Sequence, residues 1–194
     1  LSEKLSEEAN VKLSELAAKS GISASIFEPM RPWLASVTVS LAYVQSQGYQ
    51  PESGVESILW PEAKELIKQM SYFETLEEQI RFLSNLPSDV EVAYFEQTLE
   101  EFDGAADHLD RLVTAWAAGD IVTIDEIMNG DARETSPEVF EVLIVQRNQT
   151  WIQKIKEILA GTGAHFIAVG AGHLAGSEGI VELLRAEGFE VNGP

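Results

Sequence analysis

The sequence predicts an α/β fold that is rich in helix. Apolar residues recur at helical spacing through most of the first 160 residues, which is the pattern of amphipathic helices. After residue 163 the pattern changes to an apolar run, a glycine-rich turn, an amphipathic segment and a second apolar run. This succession is typical of a strand–helix–strand unit, whose two strands lie parallel.

The first 70 residues predict a series of helices. A helix is expected before Gly21, followed by a short helical turn at 22–30. A second long helix is expected from Pro32 to Gly48, because proline favours a helix start and glycine a helix end. Pro61 interrupts the next helical pattern, so we expect a break there with a helical piece on either side. The apolar face of the first helix comprises Leu5, Ala9, Leu13, Leu16 and Ala17.

A short strand is expected at 71–74, and helices resume after it. Thr75 and Glu78 have the spacing of a capping box, which predicts the start of a helix. The stretch 129–136 is the most loop-like, and Ser136-Pro137 begins one long helix that stops near Gly161. Between these points the pattern predicts helices at 89–102, 105–118 and 121–128.

We expect a single domain over 1–194, in which 1–70 and 75–160 form a large helical cap and 163–194 forms a C-terminal βαβ unit. Two or three strands do not make a stable parallel sheet alone. The small, mostly parallel sheet is therefore expected to be completed by missing N-terminal strands or by a partner chain. Because the chain begins at Leu1 in a helical pattern, we also expect that an N-terminal portion has been removed.

Composition excludes several classes of function. With 32 acidic and 13 basic residues the formal net charge is −19, which disfavours binding to the phosphate backbone of nucleic acids. The absence of cysteine excludes disulfides, thiolate metal sites and cysteine nucleophiles. No apolar run reaches the roughly 18 residues that a membrane-spanning helix needs.

The turn Gly170-Ala171-Gly172-His173 is the main candidate site. Gly170, Gly172 and Ala175 match a dinucleotide-binding G-x-G-x-x-A pattern, but too little chain follows for the rest of that fold. Read as G-x-x-H, the turn places His173 at the carboxyl edge of the sheet as a metal ligand or general base. A capping or core histidine remains an equally good interpretation.

Three more residues carry candidate chemistry. Arg147 and Trp151 are four residues apart and share a helix face, so Arg147 can bind a carboxylate or a developing oxyanion, or it can be an ordinary surface arginine. Asn148 is expected near the same site. Glu74 precedes a helix and can act as a ligand or base, or it can stabilise the helix N-terminus. His165 is expected to be structural and His108 to be exposed.

Five blocks of the sequence together resemble the TraB/GumN family, also called the Tiki or PrgY-like group. The strongest are QRNQTWIQKI at 146–155 and AVGAGHLAGSEGIVELLRAEGFEV at 168–191. The others are RPWLASVTVSLAYVQSQGYQPESGVESIL at 31–59, FETLEEQIRFL at 73–83 and AWAAGD at 115–120. Their order and spacing match across nearly the whole chain.

The resemblance implies a larger α/β group that includes erythromycin esterase-like and haem-binding ChaN-like proteins. The family pattern has two G-x-x-H motifs together with acidic and arginine residues. Animal Tiki relatives act as metal-dependent peptidases with manganese or cobalt, and bacterial PrgY-like members limit peptide-pheromone activity. Many GumN-like members have signal peptides, so the resemblance favours a periplasmic or cell-envelope location.

Residue by residue, Gly170 and His173 match the second G-x-x-H motif, Glu74 matches the family acid, and Arg147 matches the arginine. Two departures stand out: the first G-x-x-H motif is absent, and Gln146 occupies a position where relatives have an acid. The chain is therefore interpreted as part of a larger enzyme or as a non-catalytic member.

The resemblance predicts a metal-dependent hydrolase, a peptidase, that uses manganese, cobalt or zinc. His173 and Glu74 would be metal ligands, while Arg147 and Asn148 would act on a peptide or small-molecule substrate. The alternative is a non-catalytic helical protein that binds a peptide or another ligand, and a homodimer is one expected assembly.

Overall fold

The computed structural model describes residues 1–66, 69–102 and 105–193, and all regular secondary structure in these ranges is helical. Two π-helical turns, Glu126–Gly130 and Glu141–Val145, interrupt the second half, and a 3₁₀ turn lies at Ala171–His173. The α-helices are α1 (Glu7–Lys19), α2 (Pro32–Ser46), α3 (Val55–Leu66), α4 (Leu76–Ser84), α5 (Ser88–Glu101), α6 (Ala105–Ala118), α7 (Ile121–Asp125), α8 (Asp131–Thr135), α9 (Pro137–Phe140), α10 (Gln146–Leu159) and α11 (Ile180–Ala186).

The predicted α/β class is wrong, because no strand occurs among the described residues. The apolar run at 164–170 and the run at 189–191 have no regular structure, and the segment 71–74 ends in a bend. A strand exists only through hydrogen bonds to a second strand, and here no described segment pairs with these runs. Phe166 accordingly stays 75% exposed. Neither the parallel sheet nor the βαβ unit occurs in the part of the chain that the structure describes, where α11, the helix of that unit, is confirmed.

Helices with a clear apolar period are confirmed. The five residues predicted for the apolar face of the first helix are all buried, although Leu5 lies just before α1. Helix α2 begins at Pro32 and ends shortly before Gly48, where φ is +92°. The predicted break at Pro61 is wrong, because α3 continues through it. Water can satisfy the carbonyl that the proline leaves without a partner, since nearly the whole surface of α3 is exposed.

The loop predicted at 129–136 is also wrong, because this stretch finishes a π-helical turn and then forms α8. Two side chains within it make contacts that the local sequence does not reveal. Asn129 is buried and Arg133 forms ion pairs with Asp125 and Glu178. These tertiary contacts outweigh the weak helix propensity of the stretch.

The chain divides into two compact units. Unit 1 comprises Leu1–Thr75 and Ser84–Gly104, and α1, α2 and α5 pack together in it around Phe27, Val39 and Phe95. A buried hydroxyl pair, Ser36 Oγ and Thr98 Oγ1 at 2.9 Å, joins α2 to α5. The buried carboxylate of Glu91 pairs with Arg31, which satisfies a charge that would otherwise be costly to bury.

Unit 2 comprises Leu76–Leu83 and Ala105–Pro194. A small core forms where Ala115 and Ile124 pack against Ala175. α10 buries Trp151, Ile152 and Ile155. These residues share one face of the helix, because Ile155 lies four positions after Trp151 and three after Ile152. None of the described helices has the length and apolar character that crossing a membrane requires.

Candidate functional site

The loop that carries His173 lies within unit 2, between the irregular run at 164–170 and α11. Residues Ala171–His173 form one 3₁₀ turn, in which the backbone N–H of His173 donates to the carbonyl of Gly170 at 2.9 Å. Gly170 itself has φ −59° and ψ 142°, a conformation that any residue adopts. The motif glycine at 170 is therefore not required by backbone conformation.

The need for glycine lies further along the same loop. Gly176 has φ +78°, and a Cβ built on it would lie 2.4 Å from Asp125 Oδ1. A Cβ on Gly179 would lie 2.5 Å from the carbonyl oxygen of Leu174 and 2.6 Å from that of Ala175. These distances are far below van der Waals contact, so the loop folds tightly only because both positions lack a side chain.

The imidazole of His173 is packed inside the unit, and the residue is only 8% exposed. Its Nδ1 lies 2.7 Å from Asn148 Oδ1 on α10. Its ring lies on the indole of Trp151, with centroids 4.4 Å apart and planes tilted by 41°. This hydrogen bond and this aromatic contact both hold the ring against α10.

Asn148 is completely buried and makes three polar contacts with the loop. Besides the imidazole contact, its Nδ2 donates to the carbonyl of His173 at 3.2 Å and to that of Glu178 at 2.7 Å. The sequence placed Asn148 near the candidate site, and the structure brings it into direct contact with His173.

Arg147 reaches the same aromatic ring. Its guanidinium carbon lies 4.9 Å from the centroid of Trp151 and 5.5 Å from that of Phe82, distances at which cation–π attraction operates. Its Nη1 also donates to the carbonyl of Leu143, which lies in the π-helical turn just before α10. Arg147 and His173, which are 26 positions apart in the chain, thus both lie against Trp151.

A second polar cluster supports the other side of the loop. Buried Asn129, in the first π-helical turn, donates from Nδ2 to the carbonyl of Gly172 at 3.0 Å and to Asp125 Oδ1 at 2.9 Å. Arg133 Nη2 donates to Asp125 Oδ1 at 3.0 Å and to Glu178 Oε2 at 3.3 Å. The carbonyl groups of Gly172 and His173, two consecutive residues of the 3₁₀ turn, are in this way bonded to buried asparagines.

Charge pairing fixes the protonation of Arg133. Burial by itself lowers the pKa of the guanidinium, but the hydrogen bond and charge of Asp125, and then those of Glu178, outweigh burial and raise that pKa above its ordinary value. The guanidinium therefore remains charged, and both carboxylates face a permanent cation.

The described residues do not by themselves fit a complete metal centre. No three His, Asp or Glu side chains among them come together in a way that could hold an ion, and both Asp125 and Glu178 pair with Arg133. Glu74 is half-buried and belongs to unit 1, whereas His173 belongs to unit 2, so its role as ligand or acid stays a prediction. The other two histidines, His108 and His165, are exposed.

Sequence reasoning missed several residues that build this site. The sequence pattern places Trp151 on the apolar face of its helix and beside Arg147, but it does not indicate that His173 also contacts this ring. Asn129 gave no signal, because it lies 43 residues from the carbonyl that it binds. The pair of Arg133 with Glu178 gave no signal for the same reason, since 45 positions separate the two residues.

Comparison with known proteins gives one consistent result. The model of the TraB/PrgY/gumN family matches residues 1–193. The uncharacterized protein YbaP of Escherichia coli (strain K12) is 29% identical over 185 residues, which cover 95% of this chain and 68% of that protein. YbaP of Shigella flexneri matches with the same identity and coverage. No solved structure gives a significant match to the chain.

Proposed function

The chain belongs to the TraB/PrgY/gumN family, and on that premise we propose that it hydrolyses peptides at a site that includes His173 and Arg147. The observation that carries the proposal is the meeting of these two residues at Trp151, at 4.4 Å between the ring centroids and 4.9 Å from the guanidinium carbon. A general base and a cation close to one another promote the attack of water on an amide, since the base takes the proton of the water and the cation stabilises the oxyanion.

In this proposal His173 is the general base and then the general acid. The imidazole accepts a proton as the water oxygen bonds to the carbonyl carbon, and returns it to the amide nitrogen as the C–N bond breaks. Arg147 binds the negative charge that develops on the carbonyl oxygen, or the carboxylate of the peptide. Trp151, a buried residue of α10, contacts both side chains and thereby supports them.

The resemblance to the family adds a divalent ion, manganese, cobalt or zinc, whereas no group of three His, Asp or Glu side chains that could hold an ion occurs among the described residues. Metal dependence is therefore a separate arm of the test. Activity that EDTA abolishes and one of these ions restores would support this part of the proposal.

The test is hydrolysis of a library of fluorescence-quenched peptides by the purified protein, with and without each ion. His173→Ala is expected to lower kcat/KM by at least about 100-fold, the usual contribution of a general acid–base. His165→Ala is the matched control, because His165 lies eight positions away in an exposed segment, and it should change nothing. Equal activity of the wild type and His173→Ala would refute the proposal.

A non-catalytic peptide-binding protein is the second candidate, and one observation favours it. His173 is buried and stacked on Trp151, as a histidine with a purely structural role would be. This alternative predicts peptide binding without turnover in every ion condition. It also predicts that His173→Ala keeps the affinity of the wild type, provided that the variant remains folded.

A further inference from the structure

We propose that Asn148 is a positioning residue that holds neutral His173 in the tautomer with its proton on Nδ1. Nε2 is then the nitrogen that accepts a proton or binds a cation. The tautomer follows from the hydrogen bonds of unit 2 alone, while its use in catalysis rests on the proposed hydrolase function.

The first step fixes the orientation of the Asn148 amide. An amide nitrogen has two hydrogens and an amide oxygen has none. Two backbone carbonyl oxygens, those of His173 and Glu178, lie 3.2 Å and 2.7 Å from Nδ2, and carbonyls only accept. In the reversed orientation three oxygens would face one another in a fully buried position, with no hydrogen between them.

The second step assigns the proton on the imidazole. With Nδ2 facing the carbonyls, Oδ1 faces the ring and lies 2.7 Å from Nδ1 of His173. Oδ1 can only accept, so Nδ1 must carry the hydrogen. The neutral ring therefore has its lone pair on Nε2.

The third step concerns rigidity. Asn148 makes hydrogen bonds with the ring of His173, with the backbone carbonyl of His173 and with that of Glu178. It therefore holds the loop at three points. Trp151 lies one helical turn further along α10 and fixes the plane of the ring. Rotation of the imidazole would break the contact with Asn148 and the aromatic contact together.

The chemical consequence is that Nδ1 binds Asn148 and orients the ring, while Nε2 is the nitrogen that reacts. A histidine that acts as a base or a ligand usually donates its other ring N–H to a fixed oxygen, which sets the tautomer and raises the basicity of the working nitrogen. Asn148 supplies this oxygen without adding a charge to the buried site.

The test is the ¹⁵N NMR spectrum of the histidine rings in the full chain, recorded without peptide or metal. In the neutral ring one nitrogen carries the hydrogen and the other does not, so the two ¹⁵N shifts at alkaline pH report the tautomer. His173→Gln assigns the signals of that ring by their loss. In the wild type, Nδ1 is expected at the position of a protonated ring nitrogen, and Nε2 at that of an unprotonated one.

Two buried asparagines provide a matched pair of variants. Asn148→Ala is expected to move both His173 signals toward the averaged positions of an exchanging mixture of tautomers. Asn129→Ala is the control, because Asn129 is equally buried and also binds a carbonyl of the loop, that of Gly172, but makes no bond to the ring. It should leave the tautomer unchanged.

Asn148→Asp is the second variant, and it keeps an oxygen that accepts from Nδ1. It should retain the wild-type tautomer even though its carboxylate cannot donate to the two carbonyls. Wild-type signals that place the proton on Nε2 would overturn the inference, whether or not any variant folds. An unchanged tautomer in folded Asn148→Ala would also overturn it.

The result is separable from the proposed function. A proton on Nδ1 in a protein that cleaves no peptide leaves this inference standing and removes the hydrolase proposal. A proton on Nε2 in a protein whose cleavage depends on His173 removes the inference alone.

Discussion

At the scale of single residues, the loop around His173 is determined by what lies next to each glycine. Gly170 belongs to the G-x-x-H motif but has an ordinary backbone conformation, and a Cβ on it would have its nearest neighbour at 3.8 Å. Gly179 lies outside the motif, and a Cβ there would overlap two backbone carbonyls. Whether a position must be glycine therefore depends on the space around its Cα, and not on whether it belongs to the motif.

This difference predicts opposite outcomes for two equivalent substitutions. Gly179→Ala should lower the free energy of unfolding by about 1–3 kcal/mol, the usual cost of overpacking, because the backbone of 174–175 must shift. Gly170→Ala should stay within about 0.5 kcal/mol of the wild type. Urea unfolding of both variants measures the two values, and equal losses would contradict this account of the loop.

The same residues show what a sequence reveals about a site. His173 and Arg147 were identified because a glycine–histidine turn and an arginine four residues from a tryptophan are local patterns. Contact between Asn148 and the imidazole depends on how a loop folds onto a helix 25 residues away, and no local pattern reports that. The sequence thus named the chemical groups but not the bonds among them.

At the scale of elements, periodic apolar faces were predictive and unpaired apolar runs were not. α1 and α2 form where the apolar residues and end signals indicated. The run at 164–170 looks the same whether it becomes a strand or remains irregular, because periodicity does not report a partner. In the same way α8 is supported by contacts with distant residues, of Asn129 with Gly172 and of Arg133 with Glu178.

A helix start gives a prediction for pH dependence. Asp120 caps α7 by accepting from the backbone N–H of Thr123 at 3.1 Å and from its hydroxyl at 2.8 Å. The Thr123 side-chain hydrogen bond, followed by the backbone one, lowers the pKa of the Asp120 carboxyl below its ordinary value. A lowered pKa in the folded state means that the ionised form stabilises the fold.

The stabilisation by Asp120 should therefore be complete above about pH 4 and disappear as the pH falls through the lower folded pKa. Measuring urea midpoints from neutral pH downward, we expect the gap between the wild type and Asp120→Asn to shrink only below about pH 4. Asp120→Asn and Asp120→Ala should differ by a constant amount, because neither titrates at this position. If the difference in urea midpoint between the wild type and Asp120→Asn increased as the pH fell, the role of ionised Asp120 as a cap would be contradicted.

At the scale of the whole molecule, the family extends over nearly the entire chain, whereas the architecture is that of two helical units. The sequence indicated the family because its blocks recur in order from 31 to 191. The sequence did not indicate where the two units divide, because the units are not continuous in the chain. Leu76–Leu83 belongs to unit 2, whereas the residues on both sides of this segment belong to unit 1. Such a division depends on packing between distant segments.

Four residues of the proposed site belong to unit 2. α10 supplies Arg147, Asn148 and Trp151, while the loop before α11 supplies His173. Residues that act as one site in one reaction step lose activity together, because removing either one disables the same transition state.

The most direct measurement is a double-mutant cycle on kcat/KM for peptide hydrolysis, with His173→Ala, Arg147→Ala and the combined variant. The account predicts that the combined variant loses about as much activity as the more damaging single substitution. Losses that multiply in full would show that the two residues act independently. Full activity in all three variants would show that the meeting of His173 and Arg147 at Trp151 is not a catalytic site.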